Sequence, residues 1–174
     1  MINKAEIKST PLSGQYKERI YDIQSSWNTQ NWTWVLFEND DFGEWFGQFR
    51  GSPRGVSVSK KHDTVLVLTS DYLYQLDRKN GDMKAYESSP LYKNLILTPK
   101  DDYLIADDYF IEVIGPSIHK KRRLESHIPL DDITFNGWVK GKLLISAREC
   151  LNWDNQMKLE LDGETLKLTI IDTK

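Results

Sequence analysis

A single cysteine, Cys150, excludes an intramolecular disulfide framework. The three histidines, His62, His119 and His127, stand on separate turns or strand ends, with no His-x-x-x-His or Cys-x-x-Cys spacing, so no metal centre is read. Apolar runs are short, Val65-Leu66-Val67-Leu68 being representative, against the roughly 20 residues that a spanning helix needs. No membrane association is expected. Met1-Ile2-Asn3-Lys4-Ala5-Glu6 has a lysine but no apolar stretch behind it, which predicts no secretory signal and a cytoplasmic location. A large charge excess is also lacking: 23 Lys+Arg against 26 Asp+Glu give a net charge of -3. A phosphate backbone would meet net repulsion, so no nucleic-acid partner is expected.

Catalytic signatures are missing as well. Gly-x-Ser-x-Gly does not occur, and Cys150, between Glu149 and Leu151, carries no nucleophile signature. Gly137-Trp138-Val139-Lys140-Gly141-Lys142 lacks the spacing and the hydroxyl residue of a phosphate cradle. The acid pairs Asp40-Asp41, Asp101-Asp102, Asp107-Asp108 and Asp131-Asp132 do not alternate as calcium loops do, and Asp bonds nearby backbone amides, so they read as turn residues. No catalytic residue, metal or cofactor is assigned.

What the chain does contain is β text. Residues 13–27 place Tyr16, Ile20, Ile23 and Trp27 at steps of four, three and four, which predicts an amphipathic helix, with a strand over 19–24 as the competing reading. From Trp32 onward the segments are aromatic and β-branched: Trp32-Thr33-Trp34-Val35-Leu36-Phe37 and Glu44-Trp45-Phe46-Gly47-Gln48-Phe49 read as a hairpin. Four short strands follow over 56–86, and the Asn80-Gly81 dipeptide predicts a two-residue type I′ turn. The unit then repeats. Leu95-Ile96-Leu97 answers Val56-Ser57-Val58, and Tyr109 stands 37 residues after its counterpart Tyr72. A degraded third copy begins near Ile133 and ends in a hairpin on Asp162-Gly163.

A four-stranded period near 40 residues is the signature of propeller blades. The stretch Tyr72-Leu73-Tyr74-Gln75-Leu76-Asp77…Asn80-Gly81-Asp82 resembles the blades of quinoprotein-like β-propellers, in which a strand ends in Leu-Asp before a glycine hairpin. The resemblance implies a blade-like fold and no cofactor, since the family's cofactor-site residues are absent. A closed ring takes at least about four blades of about 40 residues each, which would consume nearly the whole chain. The expectation is one domain over 1–174: an N-terminal segment over 1–30 containing the helix, then a mainly β, antiparallel, propeller-like meander of about three four-stranded units. Monomer and homo-oligomer both stay open, because an incomplete array completes its ring by self-association.

Two local features stand out. His119-Lys120-Lys121-Arg122-Arg123 places charge on both faces of any strand, which predicts an exposed edge blunted against pairing. Between residues 27 and 49, eight aromatics interleave with Glu38, Asp40, Asp41 and Glu44, and successive strand residues face opposite ways. Not all of these rings can share one core. The candidate binding surface is therefore Trp32, Trp34, Glu38, Asp40, Asp41, Glu44 and Trp45, and the expected function is non-enzymatic protein binding, with an immunity-type protein that neutralises a toxin as the concrete form. The alternative is a carbohydrate binder or glycoside-acting enzyme, with Trp32, Trp34, Trp45, Trp138 and Trp153 as the sugar platform.

Overall fold

The computed structural model describes residues 1–173, excluding the side chains of Trp153 and Thr173. The described residues are all β, with sixteen strands in four four-stranded sheets. No helix among them is long and apolar enough to cross a membrane. The chain packs as two compact units, one comprising Met1–Pro90 with Pro116–Ile118, the other Leu91–Gly115 with the chain from His119 onward.

In the first unit, β1 (Ile2–Lys8), β2 (Lys17–Tyr21), β3 (Trp32–Asn39) and β4 (Glu44–Arg50) form a sheet in the order β1-β3-β4-β2. Antiparallel β3 and β4 alternate strictly, so Thr33, Val35 and Phe37 face the core with their cross-strand neighbours Phe49, Gly47 and Trp45. Behind them lies the second sheet, β5 (Pro53–Ser59), β6 (Thr64–Thr69), β7 (Tyr72–Asp77) and β8 (Met83–Ser88), paired in chain order. Val65, Val67, Tyr72, Tyr74 and Leu76 supply its half of the core. Leu66, Leu68 and Leu73, on the opposite face, are also fully buried, which explains why Thr64–Thr69 reads as a continuous apolar run. There Gln75 holds the returning segment 116–118, donating to the Pro116 carbonyl at 2.7 Å and accepting from the Ile118 amide at 3.2 Å.

The helix expected over 13–27 is not formed. Residues 17–21 are strand β2, which runs parallel to β4 at the sheet edge. Tyr16, Ile20 and Trp27 share no face: Tyr16 packs against Phe46, whereas Ile20 and Trp27 are exposed. The anchoring residue is instead Tyr21, stacked on Phe49 with ring centroids 4.5 Å apart and its hydroxyl donating to the Gly81 carbonyl at 2.6 Å. With β1 and β2 both in the first sheet, the first 50 residues make a full four-stranded unit, and the sheets number four rather than about three. The Asn80-Gly81 turn also differs from expectation. Only Gly81 takes a positive φ, of 75°, whereas a type I′ turn needs two. The loop spans five residues between β7 and β8, because the Asp77 carboxylate captures the Lys79 amide and the Asn80 side chain captures the Asp82 amide.

Arg78, only 8% exposed, ties the N-terminal strand to the second sheet. Its guanidinium donates to the Ile2 carbonyl at 3.2 Å and to Asp63 at 3.1 Å, while its own carbonyl accepts from the Ile2 amide at 2.7 Å. Replacing Arg78 by methionine keeps the aliphatic stem and strands the buried Ile2 carbonyl. The expected loss is about 2–3 kcal/mol, seen as a fall of roughly 5–10 °C in the thermal midpoint. A midpoint within a degree of wild type would show that β1 is held by packing alone.

The second unit pairs β9 (Asn94–Leu97), β10 (Tyr103–Ala106), β11 (Ile111–Ile114) and β12 (Lys121–Arg123) in the order β12-β11-β10-β9. This sheet packs on β13 (Leu130–Val139), β14 (Lys142–Glu149), β15 (Asn152–Asp162) and β16 (Leu168–Thr173) through Leu104, Ala106, Ile133, Leu143, Ile145 and Leu159. Trp138 Nε1 donates to the Leu97 carbonyl at 2.8 Å, and the Asn94 side chain bonds the backbone of Ile133 and Phe135, fixing the two sheets in register. The cationic run is the edge strand β12, bonded on one side only. At the last hairpin, Gly163 is needed for space: an added Cβ would lie 2.7 Å from the Pro99 ring, while the positive φ falls at Leu166.

Candidate functional site

The seven residues singled out by sequence fall into three settings at one sheet. Trp32, Trp34, Glu38 and Glu44 lie on the face of the first sheet opposite the core, Glu38 and Glu44 directly across from one another. Trp45, the second residue of β4, lies on the core side, half-buried. Asp40 and Asp41 are exposed in the turn between β3 and β4. The aromatic segment is thus divided by strand alternation: Phe37, Trp45 and Phe49 turn inward, while Phe46 turns outward and is buried beneath Tyr16 and Trp34, at centroid distances of 5.1 and 6.3 Å.

The turn itself is tightly made. The Asn39 amide donates to the Gly43 carbonyl at 2.9 Å, and the Phe42 amide donates to Asn39 at 2.9 Å. Asp41 Oδ1 accepts the Gly43 amide at 3.1 Å, and the Asp40 amide bonds the Met1 carbonyl at 2.8 Å. Asp41 therefore does turn work of the kind its pairing suggested. Between these bonds Phe42 sits at φ 62° and is 84% exposed. A left-handed conformation costs an L-residue about 1–2 kcal/mol, and here no burial offsets it. Sequence reading saw Phe42 only as one more aromatic, because nothing in Asn39-Asp40-Asp41-Phe42-Gly43 states which residue will take the left-handed position.

Beside the turn a groove of about 660 Å³ is lined by Asp41, Glu44, Trp45, Tyr16, Arg19 and Lys79, among others. It brings three of the seven predicted residues together. Both strands flanking β4 contribute to its indole wall: Phe37 from β3 stacks on Trp45 at 4.4 Å, and Arg19 from β2 sets its guanidinium 5.1 Å from the ring centroid. Arg19 also donates to the Asn80 carbonyl at 2.6 Å. At the far end of β4 the Arg50 guanidinium lies 3.7 Å over Trp32 and bonds Asp22 at 2.7 Å. That hydrogen bond holds the Asp22 carboxyl below its ordinary range. Tyr21, in the adjoining core, is shifted upward by its burial.

No protein-family model matches this chain, and no curated protein matches its sequence. Function must be read from what the side chains present. Sugar stacking needs an open indole face, and two of the tryptophans proposed for it, Trp32 and Trp45, already carry an arginine on the ring. Trp138, within the second unit, spends its Nε1 on the Leu97 carbonyl of that same unit, and the Trp153 side chain lies outside the described residues.

A second concavity lies in the second unit, where the sequence predicts only a charge-blunted edge strand. It is about 700 Å³ and is walled by Tyr109, Phe110, Leu124, Ile128, Leu130 and Leu168, with Arg123, His127 and Cys150 also lining it. Its residues come from the turn before β11, β11 itself, β12, the loop 124–129, the start of β13, the turn between β14 and β15, and β16, so no contiguous motif announces it.

Proposed function

We propose that this chain is a non-enzymatic protein-binding domain whose contact surface is the β3–β4 end of the first sheet. The observation that carries the reading is Phe42: a large apolar ring held in a strained backbone, exposed, and pre-positioned by four hydrogen bonds. Strain that folding does not repay directs attention to a role outside folding. An ordered aromatic anchor surrounded by polar groups is how protein interfaces concentrate affinity, since little freedom is lost on binding. Asp40, Asp41 and Glu44 give that anchor an acidic rim, which fits a partner with a basic surface around an apolar pocket. An immunity-type protein neutralising a basic toxin domain is the concrete form. In the same reading the four sheets are blade-like repeats, supported by the Tyr72–Asp82 pattern and by the consecutive pairing of β5 to β8.

The test is affinity capture at physiological salt with wild type, Phe42→Ala, the triple variant D40K/D41K/E44K, and Leu151→Ala as a control at another exposed left-handed position. A stoichiometric partner retained by wild type and by Leu151→Ala, and lost with the other two, is expected. Retention by all four proteins, or no stoichiometric partner, would sink the proposal. Phe42→Ala should fold as stably as wild type, since it removes no buried surface.

A further inference from the structure

The groove of the second unit has features that neither the fold nor the proposed protein contact uses. Its size, about 700 Å³, falls within the roughly 300–1,000 Å³ range of small-molecule sites. Its walls are mostly hydrocarbon, from Ile111, Leu124, Ile128, Leu130 and Leu168, and two aromatic residues border it part-exposed, Tyr109 50% and Phe110 40%. The wall is rigidly built. The Leu124 amide bonds the Ile111 carbonyl at 2.9 Å, Ser126 Oγ closes a turn on the Ile128 carbonyl at 2.6 Å, and the Cys150 amide bonds Pro129 at 2.9 Å.

Arg123 sets the polarity of this groove. Its guanidinium lies 3.4 Å over the Phe110 ring, and among the described residues no carboxylate or carbonyl receives its N–H groups. A guanidinium offers five donors in a planar fork suited to a carboxylate. Stacking on Phe110 fixes the plane of that fork and leaves its edge open. Glu125 is the one carboxylate lining the groove and is not paired with Arg123; His127, Tyr109 and Cys150 are the other titratable groups that line it.

We propose that this groove binds a small apolar monocarboxylate, its aromatic or aliphatic body between Tyr109, Phe110 and the Leu124–Leu130 wall and its carboxylate on Arg123. Apolar walls supply affinity without direction, and the single unpaired cation at the rim selects an anionic head over a neutral one. The site shares no residue with the acidic Phe42 turn, and neither proposal depends on the other.

The experiment is a titration followed by amide NMR shifts, using phenylacetate, 4-phenylbutyrate, octanoate and decanoate beside the neutral 4-phenylbutanol. At least one acid is expected to shift amides of 109–111, 123–130, 150 and 168 as a set, and to bind about tenfold more tightly than the alcohol, as one charge-assisted contact allows. Arg123→Gln should erase that preference and leave alcohol binding unchanged. Tyr109→Ala should weaken acid and alcohol alike, and Glu125→Gln should strengthen the acid by about twofold, an exposed charge having a small effect. Arg123, Tyr109 and Glu125 are all exposed, so these variants keep the fold. Shifts outside this set, equal binding of acid and alcohol, or no shift with any of the four acids overturns the proposal.

Discussion

Replacing Phe49 by alanine is expected to lower the unfolding free energy by about 4 kcal/mol, the middle of the range for removing a buried aromatic ring. The ring is fully buried at the centre of the first unit. It stacks on Tyr21 at 4.5 Å with an interplanar angle of 2°, and meets Tyr74 edge to face at 5.1 Å and Phe37 at 6.2 Å. Each such ring pair adds about 0.5–1.5 kcal/mol beyond area burial, and the two sheets framing the hole cannot easily close on it. Tyr21 is the sole buried residue of β2 and latches that strand to Gly81, so losing its stacking partner also loosens the edge of the sheet. Urea unfolding should show a lower midpoint with an unchanged slope. Phe49→Leu should recover more than half the loss. Phe42→Ala, seven residues away, should cost nothing measurable, and the contrast between two phenylalanines of one hairpin follows from burial alone. Equal costs at the two positions would refute this account of the core.

Much of the sheet architecture was legible because the local signals were of the right kind. Strands β6, β7 and β10 coincide with the runs Thr64 to Thr69, Tyr72 to Asp77 and Tyr103 to Ala106, and all three are bounded by turn residues and rich in aliphatic or aromatic side chains. The repeat from Val56 to Leu95 reflects two sheets with the same strand succession. Strand β2 was legible only as the competing reading over 19–24, for a physical reason. It is an exposed edge whose only buried side chain is Tyr21, and its partner β4, parallel to it, lies more than twenty residues further along the chain. Four apolar residues at helical steps outweighed a pairing that no local pattern encodes.

The candidate site was legible in part. Alternation correctly implied that the rings between residues 27 and 49 must divide between two faces, but it could not say that Arg19 and Arg50 would lie on Trp45 and Trp32. Those contacts join β2 to β4 and β4 to β3, and they depend on the strand order. The Arg123 groove was hidden in the same way. In sequence the cationic run is explained by edge protection alone; only the tertiary fold sets Phe110 under Arg123 and brings Leu168 to the same wall.

Gly47 carries the second large prediction. Glycine weakens a strand interior, yet this one lies in the central strand β4, paired on both sides, and its φ is not positive. Conformation therefore does not require it; space does. A Cβ at this position would lie 2.6 Å from Phe49 Cε2 and 2.8 Å from Phe37 Cε2, inside the contact distance of carbon atoms. The two rings close over the glycine and cannot withdraw, because Phe37 is stacked on Trp45 and Phe49 on Tyr21. Gly47→Val is expected to cost about 3 kcal/mol, at the high end for overpacking. Gly47→Ala should cost less, because it brings only the Cβ against the two rings whereas valine adds two further methyl groups. The decisive measurement is a double-mutant cycle. Shortening the obstructing ring with Phe49→Leu should make room for the new methyl, so Gly47→Ala and Phe49→Leu together should cost about 1 kcal/mol less than their separate costs added, within the coupling expected of residues in contact. Strict additivity would mean that the rings move aside freely and that the glycine answers to some other constraint in the sheet.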